Sequence, residues 1–131
     1  LTDFDESLVD YLLGRPGIAA LAARRIFPDY FPQSEQLPAI AYMLEDDASQ
    51  QTRQGPSGMR EAIYRINIWA DTRHEVMSVA REVRLALDGY RGEFMNIAVI
   101  GSFLDGLSRE RDSDKGAYCV SMRFTIYYLE S

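Results

Sequence analysis

Only one cysteine, Cys119, and one histidine, His74, occur among the 131 residues. A lone thiol cannot close an internal disulfide, and zinc sites draw on several Cys or His ligands, so a Cys/His metal centre is close to excluded. Lysine is nearly absent too: Lys115 is the only one among 14 basic residues, set against 20 acidic ones. The net charge of −6 and pI of about 4.7 argue against holding nucleic acid through a broad basic surface, because phosphate neutralisation supplies most of that affinity. No apolar run approaches the roughly 20 residues of a membrane span. The start, Leu1-Thr2-Asp3-Phe4-Asp5-Glu6, is acidic, unlike a signal peptide, and cytosolic residence is the expectation.

What the chain does have is patterned apolar content, 47% of residues, enough for one modest core and a single domain over 1–131. Leu8, Val9, Leu12 and Leu13 make one helical stripe within 5–13, closed by Gly14-Arg15-Pro16-Gly17. A second short helix spans about 18–24, followed by an irregular aromatic connection, Phe27-Pro28-Asp29-Tyr30-Phe31-Pro32-Gln33. Ile40, Tyr42 and Leu44 alternate with Ala41, Met43 and Glu45, a first strand. Residues 46–60 are polar and read as a long loop or a mobile β-arm. Residues 61–70 form the clearest strand, with Ala62, Tyr64, Ile66, Ile68 and Ala70 on one face and Ile63, Arg65, Asn67 and Trp69 on the other. Thr72 with Glu75 fits a capping box opening a helix over about 73–87, and Gly89 ends it. A strand over 95–103, a charged loop over 104–116 and a strand over 118–129 complete the chain. The order α, α, β, β, α, β, β predicts an α+β fold, a four-stranded, mainly antiparallel sheet with helices packed on one face.

A search for converging reactive groups finds none. His74 falls in the first turn of a capped helix and reads as a surface residue; Cys119 alternates onto a strand and reads as a structural thiol. Glu45-Asp46-Asp47 and Asp112-Ser113-Asp114 sit at strand–loop junctions, but neither has calcium-loop spacing, and solvated loop tips account for them. Gly55-Pro56-Ser57-Gly58 lacks the lysine of a P-loop. The expectation is therefore no catalytic residues, no cofactor and no metal. The preference for arginine suits subunit interfaces, where a guanidinium makes planar bidentate contacts; lineage bias in codon use would give the same skew.

Two ordered stretches carry more. Arg24-Arg25-Ile26-Phe27-Pro28-Asp29-Tyr30-Phe31-Pro32-Gln33, followed by Leu37-Pro38-Ala39-Ile40-Ala41-Tyr42, resembles the opening of the tail-completion, or head–tail joining, family of long-tailed phages and prophages. Tyr64-Arg65-Ile66-Asn67-Ile68-Trp69-Ala70-Asp71-Thr72 is similar to that family's strand ending in Trp-Ala before a helix, and Val83-Arg84-Leu85-Ala86-Leu87-Asp88-Gly89 to its helix close. The likeness runs in order over about 8–129. It implies a tail-terminator-like structural protein that forms a ring, commonly hexameric, against tail-tube and head-connector proteins. Host cytoplasm during assembly, then the virion tail or neck, is the implied location, with no sequence-specific nucleic acid and no membrane.

A ring requires one surface patch to meet a different patch on the next copy. Candidates are Ile63, Arg65 and Trp69 with Thr125 and Tyr127 on the outward sheet face, Gln50, Gln51, Arg53 and Arg60 on the polar arm, and Arg109 and Arg111 in the charged loop. Trp69 has two readings: an interface anchor, or a side chain covered by a second layer such as the N-terminal helices. The arm either orders on meeting a neighbour or is a plain loop. A rival function, a small ligand-binding or enzymatic α+β domain, predicts a pocket lined by Tyr42, Tyr64 and Tyr128.

Overall fold

A computed structural model describes residues 4–29, 36–52, 55–112 and 117–129, with the backbone alone for 46–52, 55–57 and 110–112. In chain order the described elements are α1 (Phe4–Leu13), α2 (Pro16–Ala22), β1 (Ile26–Pro28), β2 (Ala39–Thr52), β3 (Gly55–Ala70), α3 (Arg73–Leu87), β4 (Tyr90–Phe94), β5 (Ile97–Asp112) and β6 (Ala117–Leu129). The strands form a six-stranded sheet in the order β1-β2-β3-β6-β5-β4, mixed because β1 runs parallel to β2 while every other pair is antiparallel. The sheet curls into a half-barrel.

This corrects the expected four-stranded, mainly antiparallel sheet with helices on one face. Two short border strands, β1 and β4, were hidden from pattern reading because three and five residues are too few to display a period of two. The 104–112 stretch, expected as charged loop, continues β5 and pairs with β6 down to Asp112↔Ala117. Of the stretch 46–60, expected as a long loop or a β-arm, residues 46–52 and 55–60 lie in β2 and β3, paired from Asp46↔Ile63 to Thr52↔Gly55. A strand pair that extends beyond the core needs no apolar face, so its polar sequence carries no alternation to read.

The core gathers Ile40, Ala62, Tyr64, Ile66 and Ile68 from β2 and β3, and Val120, Met122, Phe124 and Ile126 from β6, with buried residues of all three helices. Burying each large aliphatic or aromatic side chain contributes roughly 1.5–3 kcal/mol. α1 places Phe4, Leu8 and Leu12 on one stripe, and the Phe4 ring stacks on Tyr128 at 3.9 Å between centroids. Two phenols fasten this helix: Tyr64 donates to the Asp5 carboxylate, and Tyr11 donates to the Ala86 carbonyl at 2.6 Å. α3 begins at Thr72, whose hydroxyl accepts the Glu75 amide at 3.1 Å, satisfying one of the four orphan first-turn donors. It ends before Gly89, whose φ of +78° is a left-handed conformation that a side chain would strain.

Candidate assembly surface

On the sheet face turned away from the core cluster, the pairing of β3, β6 and β5 builds three transverse rows. Ile63, Thr125 and Phe103 are opposite one another across the three strands; so are Glu61, Tyr127 and Gly101, and Arg65, Arg123 and Gly106. Phe103 is 51% exposed, a large apolar side chain with no core role. Its ring meets Tyr127 edge-on at 6.4 Å, and a Cβ at Gly101 would come within 2.9 Å of it, so the missing side chain at 101 leaves the ring its place. The Tyr127 phenol is pushed above its usual 10, first by its hydrogen bond with Glu61, then by burial and by the charges of Glu61 and Asp105. Thr125 Oγ1 lies 3.4 Å from Asp105 Oδ2.

The arginine row is held by an acid from the next strand. Glu45 Oε2 is 3.1 Å from Arg65 Nε, and its Oε1 is 3.4 Å from Arg123 Nε; Arg65 also donates to Ser121 Oγ at 2.9 Å. This ring-and-ion patch is therefore a surface that Tyr127 shares with Arg65 and Arg123, and tyrosine and arginine are residue types enriched at interface hot spots.

Of the residues singled out in the sequence, Ile63, Arg65, Thr125 and Tyr127 come together here. Trp69 shares the face but is 8% exposed, beneath a small cluster with Ala39, Ala41 and Ala117 that Phe27 and Leu37 complete. The covering layer is the segment leading into β2, held in place where Arg25 Nε donates to the Pro38 carbonyl at 2.8 Å, and not the N-terminal helices. Arg60 pairs with Ser49 and Tyr128, on the core-facing parity. Arg109 is exposed and borders a 340 Å³ hollow with Arg73, Met77 and Tyr118, away from Arg65. Gln50 and Gln51 lie on the β2 backbone, Arg111 on that of β5 opposite Tyr118, and Arg53 falls outside the described residues. Glu45, Arg123 and Phe103 join the patch without having been named as interface residues from the sequence, because only the strand register shows which residues are neighbours.

His74 is exposed, Cys119 half-buried, and among the described residues no three His, Cys, Asp or Glu side chains are grouped to hold a metal. Tyr64 and Tyr128 are buried in the core, while Tyr42 borders a 440 Å³ hollow with Asp5, Asp10 and Met95. No described helix is long and apolar enough to cross a membrane.

Comparison with known proteins agrees with the ordered motifs. The fold matches a chain from the virion of a native gene transfer agent (GTA) particle with a TM-score of 0.73 and 17% identity, over 91% of this chain and 89% of that one. No curated protein sequence matches. The model of the family described as tail completion protein gp17 matches residues 6–129, nearly the whole chain. The chain belongs to the tail completion protein gp17 family, and its role is a structural one in phage tail assembly.

Proposed function

We propose that the chain completes the tail by closing into a homo-oligomeric ring, a hexamer in the first instance, at the head–tail junction or the tail end. Tail-tube and head-connector proteins are its partners. It acts through the surfaces it presents and catalyses no reaction. It joins the growing tail in the host cytoplasm and stays in the virion. The family match over residues 6–129 carries this reading. Supporting it is the patch of Ile63, Phe103 and Tyr127 beside the Arg65–Glu45–Arg123 ions, a face suited to neighbours in an assembly. The chain's negative charge suits passing DNA, which a like-charged lumen repels.

The test is capping of tail tubes assembled from the tube protein. Added chain is expected to bind tube ends in negative-stain images and to sediment with the tubes. Tubes and connectors that leave all of it in the supernatant would oppose the reading.

A further inference from the structure

Among the described residues, two stretches of backbone on opposite borders of the sheet have no strand beside them. β1 pairs with β2 only from Ile26↔Ile40 to Pro28↔Tyr42, so β2 runs on from Met43 to Thr52 with no strand on that side among the described residues. At the other border β4 reaches β5 only as far as Ser102, and Asp88 Oδ1 accepts the Leu104 amide at 3.0 Å. From Asp105 to Asp112, β5 is then open in the same sense. Long open edges are normally blunted by proline or lysine, and neither occurs in 43–52 or 105–112. Instead these edges carry or adjoin exposed apolar side chains: Leu44 at 40% on one, Leu107 at 42% and Phe103 at 51% on the other.

We infer that copies of this chain join edge to edge, the 43–52 segment of one pairing antiparallel with the 105–112 segment of the next. This rests on the assembly reading above and specifies its contact. Polarity allows it: β2, β3, β6 and β5 alternate in direction, so β2 of a following copy meets β5 antiparallel. The contact is heterologous, because the two edges differ, and so it can propagate into a ring. Paired centre to centre, Glu45 comes level with Arg111 and Asp47 with Arg109, while Asp46 comes level with Glu110.

Through the ladders Asp47 is level with Ala62, Ile126 and Ser102, whereas the open part of β5 is centred near Ser108. Neighbouring copies are therefore staggered along the strand direction, on a repeat of the four strands β2, β3, β6 and β5 that is about 19 Å wide.

Hydrogen–deuterium exchange on the full chain, with sedimentation to follow its size, tests this. Outward-pointing edge amides exchange quickly in a monomer and slowly once paired. Assembly is expected to slow exchange at least tenfold in both 43–52 and 105–112. Beyond the Leu104/Gly106 bulge the alternation turns the Leu107 amide outward, so Leu107→Pro removes an intermolecular donor and no internal one. That variant should keep the wild-type circular dichroism and stay monomeric; Leu107→Lys serves in its place if the proline prevents folding. An oligomer whose two edges exchange as in the monomer would overturn edge pairing and leave the ring reading standing. Absence of any oligomer up to about 1 mM, with tail tubes present, would overturn both.

Discussion

Arg65 on β3 and Arg123 on β6 stand directly opposite each other, and the single carboxylate of Glu45 contacts both. Like charges directly across an antiparallel pair are destabilising, so the acid from β2 offsets a repulsion as well as making two ion pairs. All three side chains are partly exposed, at 37%, 43% and 28%, which limits the effect through solvent screening. Glu45→Gln is expected to lower stability by under about 1 kcal/mol in urea melts. The deficit should shrink in about 1 M salt, where the Debye length is near 3 Å and the exposed arginines no longer repel.

Trp69 is the only tryptophan, and its burial under Phe27 and Leu37 makes it a reporter of the segment leading into β2. Native fluorescence should be blue-shifted, and Phe27→Ala should move it to longer wavelength without unfolding the core. Trp69→Ala empties the small cluster and is expected to cost about 3 kcal/mol by denaturant titration.

Tyr11 ties α1 to the end of α3, and burial, helped by nearby Tyr90 and opposed by Arg15, raises its phenol above 10. The unfolded chain therefore loses this proton first as pH rises. The stabilisation is complete below about pH 10 and declines as pH climbs from there through the folded value. Tyr11→Phe should cost about 1 kcal/mol at neutral pH for the lost hydrogen bond and weaken the alkaline decline. Urea midpoints between pH 8 and 11 check both.

The cap of α3 gives a local prediction. Thr72→Ala removes the acceptor of the Glu75 amide and should lower stability by about 1 kcal/mol, while Thr72→Ser should be near neutral. Thermal melts of the two variants decide it.

The legible parts of this fold were those with a full period of burial. α3, with Val76, Ala80, Val83 and Leu87 on one face and Thr72 before it, could be placed from spacing and capping alone. So could the alternation of β6, which runs buried and half-buried through most of its length. β1 and β4 could not, being short and on the borders. The outer half of β5 could not either, and that of β2 stood only as one of two readings, a loop or a β-arm, since strands beyond the core show no apolar face. Half of the candidate surface was visible because Ile63 and Arg65 alternate away from Tyr64 and Ile66. Phe103, Glu45 and Arg123 became its members only through register, which depends on which strands are neighbours, and so does the covering of Trp69.

A variant of the exposed patch separates assembly from folding. Phe103→Glu alters a side chain outside the core, so monomer stability should change by no more than about 0.5 kcal/mol, while binding to tube ends should fall at least tenfold. Equal loss of stability and binding would instead make Phe103 part of the folded scaffold.

Native mass spectrometry of the full chain, alone and with tail tubes, tests the assembly account most directly. A ring predicts one discrete multiple of 14.9 kDa, and a hexamer six times that, about 89 kDa, growing sharper as concentration rises. A single 14.9 kDa species at every concentration, unbound by tubes or connectors, would contradict it.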